Sequence, residues 1–136
     1  NNIERIVSTA VITDKGVDSQ NSITLVYKDG KMAVLHSSAM SQTDRQGIIS
    51  GSKGYIIAEN INNCERIKVY DLSRKEIAIY EAPKQISGYE YEVRACIRAI
   101  KEGKLECEEM PHSETIRVMK IMDGLRKEWG VVYPGE

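Results

Sequence analysis

Hydrophobic periodicity changes once along this chain, at Pro83, and that change limits what the chain can fold into. Before Pro83, apolar residues alternate with polar ones or gather in short β-branched runs. After it they recur every three to four residues. Strands first and helices last predicts an α+β domain, a mainly antiparallel sheet of about seven strands with two C-terminal helices packed on one face.

The strand signals are local and repeated. Ile3 to Ile12 is rich in β-branched residues, and "DKGVDS" then breaks the run as a loop. "SITLVYKDGKMAVLHSS" reads as a hairpin joined by Asp29-Gly30, a dipeptide that tolerates the positive φ of a type I′ turn. "RQGIISGSKGYIIAE" reads as a second hairpin around "GSKG". "ERIKVYDLSRKEIAIYEA" reads as a third, with Ile67 and Val69 alternating against Arg66 and Lys68.

Beyond Pro83, Tyr89, Val93, Cys96, Ile97 and Ile100 fall on one helix face, and Gly103 is a natural stop. A second helix follows Pro111, with Ser113 as its expected N-cap and Glu114 in its first turn. Val118, Ile121, Met122, Leu125 and Trp129 form a stripe expected to face the sheet, and Gly130 ends it. Seven strands at about 4.8 Å make a sheet roughly 30 Å wide, whereas two helices of about 10 Å cover about 20 Å of one face. The other face is therefore expected to meet a second subunit or another domain. Val26, Ala33 and Leu35, from the most apolar hairpin, are the candidate interface residues.

Composition excludes several function classes. A length of 136 residues predicts a single domain, 1–136. A net charge of -1 with scattered Lys and Arg argues against nucleic acid. No stretch is long and apolar enough to predict a membrane span, so no membrane partner is expected. Cys64, Cys96 and Cys107 lack any CxxC spacing, which fits a reducing, cytoplasmic setting better than a disulfide framework or a zinc ribbon. The start at Asn1-Asn2, without Met, points to derivation from a longer chain.

Catalytic, cofactor and metal motifs are not found. "GIISGSKG" lies between strands with no helix behind it to receive a phosphate, so it reads as a turn. His36 and His112 have no paired ligand spacing. Cys96 falls on the expected buried stripe, and "ECEEM" reads as a solvated link. Tyr27, Tyr55, Tyr133 and Arg45 are minority candidates for ligand contact. No catalytic, cofactor-binding or metal residue is assigned within the chain.

The order "YKDGKMAVLHSS", "ISGSKGYIIAE", "GYEYEVRACIRAIKEGK" and "MDGLRKEWGVVYP" resembles the C-terminal domain of the Gfo/Idh/MocA family of NAD(P)-dependent oxidoreductases, from about Gly16 to Pro134. Within the family, the stretch from Gly88 to Pro134 most resembles the dihydrodiol and xylose dehydrogenase branch. The resemblance implies an open-faced sheet of the glyceraldehyde-3-phosphate dehydrogenase C-terminal type. It further implies a Rossmann domain outside this chain that binds NAD or NADP, and a small-molecule substrate that is a sugar, polyol or diol. This chain would then give part of the substrate pocket and a homo-oligomer interface through the sheet face, bind no cofactor alone, and be inactive alone. The family's glycine-rich fingerprint and its Glu-Lys-Pro segment are absent here, so no catalytic residue carries over. Two other readings share the fold: a free-standing module that dimerises through its open sheet face, and a small-molecule-binding regulatory sheet protein with its own pocket.

Overall fold

The computed structural model describes residues 2–136. Its strands are β1 (Ile3–Ile12), β2 (Asp18–Tyr27), β3 (Met32–Ser38), β4 (Gly47–Gly51), β5 (Gly54–Glu59), β6 (Arg66–Asp71) and β7 (Glu76–Glu81). The helices α1 (Glu90–Lys101) and α2 (His112–Trp129) follow, as the change of period requires. All strand pairs are antiparallel, and the fold is α+β.

The seven strands form two ladders, β1-β2-β3 and β4-β5-β6-β7, where one sheet was expected. Local bonding accounts for the break. Between β3 and β4 the chain is polar, and its side chains bind its own backbone: Met40 N–H donates to Ser38 Oγ at 3.0 Å and Gln46 N–H to Asp44 Oδ1 at 3.1 Å, with Arg45 left-handed at φ 55°. Such bonds compete with a sheet ladder. The chain accordingly divides into two compact units, one running to Gln42 and resuming at Met110–Glu136, the other Thr43–Glu109.

The first unit packs α2 on its three-stranded sheet. Ile6 pairs with Leu25 and Leu25 with Ala33, while Ser8 pairs with Ile23 and Ile23 with Leu35. Residues directly opposite share a face, so these six lie on one side. Trp129 Nε1–H of α2 donates to Ser8 Oγ at 2.9 Å, which identifies that side as the helix face. Leu125 is the buried anchor of the α2 stripe. The opposite face carries Val7, Met32 and Val34, all exposed.

The expected hairpin between β2 and β3 is present, but its turn is not type I′. Asp29 lacks the positive φ that turn needs, and only Gly30 has it, at 81°. Tyr27 N–H reaches Lys31 O at 2.9 Å and Gly30 N–H reaches Tyr27 O at 2.9 Å, a three-residue loop with glycine in the left-handed place. The Asp29 carboxylate also binds Lys31 Nζ at 2.7 Å, which favours the longer loop.

In the second unit one sheet face is laced with charge. Glu59 pairs with Lys68 at 2.5 Å, Arg66 reaches Glu81 at 3.1 Å, and the Tyr55 and Tyr70 rings stack 4.7 Å apart. Ile49, Ile67 and Tyr80 belong to the other face and are exposed. Gly54 permits the close pairing of β5 with β6, because a Cβ there would sit 1.9 Å from the Tyr70 carbonyl oxygen.

The expected burial of α1 is reversed. Ala95 and Ala99 are its buried residues, whereas Tyr89, Val93, Cys96, Ile97 and Ile100 are exposed. At 100° per residue, the two alanines lie roughly 120° around the helix from that stripe. Small side chains allow a close approach on their own face and leave the larger apolar face without cover. The start of α2 also differs: Pro111, not Ser113, is the N-cap, and its carbonyl accepts Glu114 N–H at 2.9 Å. Gly103 and Gly130 are left-handed and close their helices as expected, at φ 68° and 73°.

Glu90 opens α1. Its carboxylate accepts backbone N–H groups of Ser87 at 2.8 Å, Ile86 at 2.6 Å and Gly88 at 3.0 Å. Those bonds, with Ser87's foremost, hold its pKa down from the ordinary 4.5 to about 2.

Gly54→Ala is expected to cost about 2 kcal/mol or more in urea denaturation, since the obstructing atoms are backbone. A lowered carboxylate pKa contributes stability that is complete above pH 4.5 and is lost as pH falls toward 2. Glu90→Gln is therefore expected to be less stable than the parent at neutral pH, with the difference shrinking through that window. Urea titrations at stepped pH check the sign.

Candidate functional site

Between the sheet and helix of the first unit lies an open trough of about 440 Å³, within the size range of small-molecule sites. Its floor comes from β2 and β3, through Ile23 and Leu35. Its roof comes from α2, through Met122, Leu125 and Trp129, with Val131 and Tyr133 of the tail at one end. The Trp129 to Ser8 bond ties this roof to β1 at the edge of the sheet.

Polar groups collect along part of this apolar wall. Asn21 Nδ2 donates to Asp18 Oδ2 at 2.8 Å, which orients the Asn21 amide and leaves its carbonyl oxygen to face other donors. Ser37 pairs with Asn21 across the ladder and adds a hydroxyl on the same face. His36 belongs to the cavity wall, but its register opposite Ser22 turns its side chain to the other face of the sheet.

Arg126 is fixed by the chain's own tail. Its guanidinium binds Glu136 at 2.5 and 2.9 Å and Val131 O at 3.2 Å, and lies 4.3 Å from the centre of the Tyr133 ring. Pairing with Glu136 raises its pKa, so it is a fixed cation. The tail thereby folds back over the last turn of α2.

An apolar wall with an oriented amide, a carboxylate and a hydroxyl suits a ligand that carries several hydroxyl groups on a carbon frame. It lacks a nucleophile paired with a base. Among the described residues, no group of three or more His, Cys, Asp or Glu is placed to hold a metal ion.

Of the residues singled out from sequence, Tyr133 reaches this cavity and Leu35 lines it. Tyr55 is engaged with Tyr70, and Arg45 sits at a left-handed bend whose carbonyl accepts Ile61 N–H at 2.7 Å. The interface candidates do not share a face. Ala33 and Leu35 lie on the helix side of the sheet, while Val26, opposite Met32, lies on the outer side. Sequence reasoning missed Asn21, Ser37 and Arg126. The available signal was polar residues at positions in register with Ile23 and Leu35, on a face that is otherwise apolar.

No helix is long and apolar enough to cross a membrane. No family model matches the chain. Over 122 residues it is 36% identical to scyllo-inositol 2-dehydrogenase (NADP(+)) IolU of Bacillus subtilis, covering 89% of this chain and 36% of that protein. It is 29% identical to trans-1,2-dihydrobenzene-1,2-diol dehydrogenase of Xenopus tropicalis, covering 96% of this chain and 41% of that one. The chain thus spans roughly two fifths or less of the length of these curated relatives. Among solved structures, UDP-N-acetylglucosamine 3-dehydrogenase GnnA from Acidithiobacillus ferrooxidans superposes with a TM-score of 0.62 at 15% identity, covering 76% of this chain and 33% of that one, a likeness of fold. With strands, helices and relatives in agreement, the chain belongs to the Gfo/Idh/MocA family, as the family's C-terminal domain.

Proposed function

We propose that this chain is the substrate-side and assembly domain of an NAD(P)-dependent oxidoreductase of the cytoplasm, acting on a sugar, polyol or related diol. The observation that carries this reading is the 36% identity, across 89% of the chain, to an enzyme named for oxidising an inositol with NADP(+). The first unit's cavity supports it, because its apolar wall and oriented Asn21 amide suit a polyhydroxylated ring.

The dinucleotide belongs elsewhere. Phosphates are commonly received by free backbone N–H groups at a helix start, and the N–H groups leading into α1 are already taken by the Glu90 carboxylate. The start of α1 therefore has no free donors to offer a phosphate. A Rossmann domain outside these 136 residues would hold the dinucleotide and would supply the reacting groups. The outer face of the first sheet, with Val26 beside Val7, Met32 and Val34, is the surface for a second subunit. Ala33 and Leu35 serve the cavity side.

The test uses the natural polypeptide that carries this sequence, assayed with NAD and NADP against sugars, polyols and diols, beside the 136 residues alone. The natural polypeptide is expected to oxidise members of the panel, and the 136 residues alone to be inactive. Asn21→Leu in the active polypeptide is expected to raise KM about tenfold, equivalent to about 1.4 kcal/mol of binding, with a smaller change in kcat. Turnover by the 136 residues alone, or none by the natural polypeptide on any compound, would overturn the reading.

A further inference from the structure

We infer that Cys96 and Cys107 are a redox pair that closes reversibly into a disulfide, pinning the segment after α1 to the helix. Their sulfurs lie 3.9 Å apart, eleven residues apart in sequence. A disulfide needs about 2.05 Å, so closure asks the two sulfurs to approach by about 1.9 Å.

The reduced protein already holds this arrangement by other means. Left-handed Gly103 turns the chain back after α1. Arg98 of the helix pairs with Glu109 beyond Cys107, and Lys104 binds Glu102 at 2.7 Å and Glu108 at 2.5 Å. These pairs bracket Cys107 and bring it against the helix turn that carries Cys96. Surface ion pairs are individually weak, so a covalent bond would add a constraint that they do not supply.

The two thiols have different surroundings, which sets the order of events. Cys96 is exposed, while Cys107 is half-buried and its thiol pKa is pushed up by that burial. With hydrogen peroxide as oxidant, the Cys96 thiolate attacks one peroxide oxygen, the O–O bond breaks, and the departing hydroxide takes a proton to become water. This leaves a sulfenic acid at Cys96. The Cys107 sulfur, as thiolate, then attacks the Cys96 sulfur, the S–O bond breaks, and a second water leaves. Two thiols lose two electrons and peroxide gains them. A dithiol reductant reverses the bond by exchange.

Cys64 is an internal control. Its thiol donates to Arg66 O at 3.6 Å and has no sulfur neighbour among the described residues. Cys96 also sits within the exposed stripe of Val93, Ile97 and Ile100, so a partner covering that stripe would shield it from oxidant.

The natural polypeptide, treated with equimolar hydrogen peroxide and then blocked, is digested with trypsin. The expected product is a cross-link between peptides 95–98 and 105–117, "ACIR" and "LECEEMPHSETIR", that disappears with dithiothreitol. This readout on the parent protein needs no variant to fold. Cys107→Ser is expected to trap a dimedone-reactive sulfenic acid at Cys96, and Cys64→Ser to cross-link as the parent does. Unlinked peptides with both thiols still free, a link through Cys64, or only intermolecular links would overturn the pair. Dimedone labelling at Cys107 in a Cys96→Ser variant, with none at Cys96 in Cys107→Ser, would overturn the order.

Discussion

Sheets have two faces, and this chain carries two sheets but only two helices with which to cover them. That shortage governs the rest of the structure. In the first unit α2 covers one face, anchored by Leu125 and by the Trp129 indole on Ser8. The second face, with Val7 and Val34, has no cover within the unit, and neither has the apolar stripe of α1. Among the described residues only Ala95, Ala99, Leu125 and Val131 are buried apolar side chains, while thirty large ones are exposed. Isolated exposed apolar residues are ordinary, but whole faces of them mark surfaces made to meet other protein.

The same economy explains the cavity. A single helix across a three-stranded sheet, clamped at its end by Trp129, leaves a gap toward the β1 to β2 loop. The tail closes one side through the Arg126 clasp on Glu136 and Tyr133. What remains is an apolar trough with the Asn21 amide fixed by Asp18.

Much of this was legible in the sequence because it depends on local period and local chemistry. Alternation placed the strands, and the 3.6 period placed both helices; the stripe read on α2 meets the sheet at Leu125 and Trp129, while Val118 and Met122 stay exposed. Gly103 and Gly130 marked the stops because each needs a positive φ. Other features depend on contacts that no local pattern carries. The stripe of α1 was read as buried because it is apolar, yet the helix buries its alanines instead. The turn at Asp29-Gly30 was read from its dipeptide alone, while Lys31 and the Tyr27 carbonyl determine its length. Asn21 and Ser37 became site residues only when the register of β2 against β3 was known. Cys96 and Cys107 lie apart in the local pattern, and the ion pairs that bring the segment after Gly103 back to α1 leave no mark in it.

Under the proposed function, the uncovered faces are completed by protein beyond these two helices. Sedimentation velocity of the 136-residue chain, run from low to high micromolar concentration alongside binding of a hydrophobic dye, tests it most directly. Concentration-dependent association is expected, or saturable dye binding where the chain stays apart. A single monomeric boundary at every concentration, with no dye bound, would contradict it.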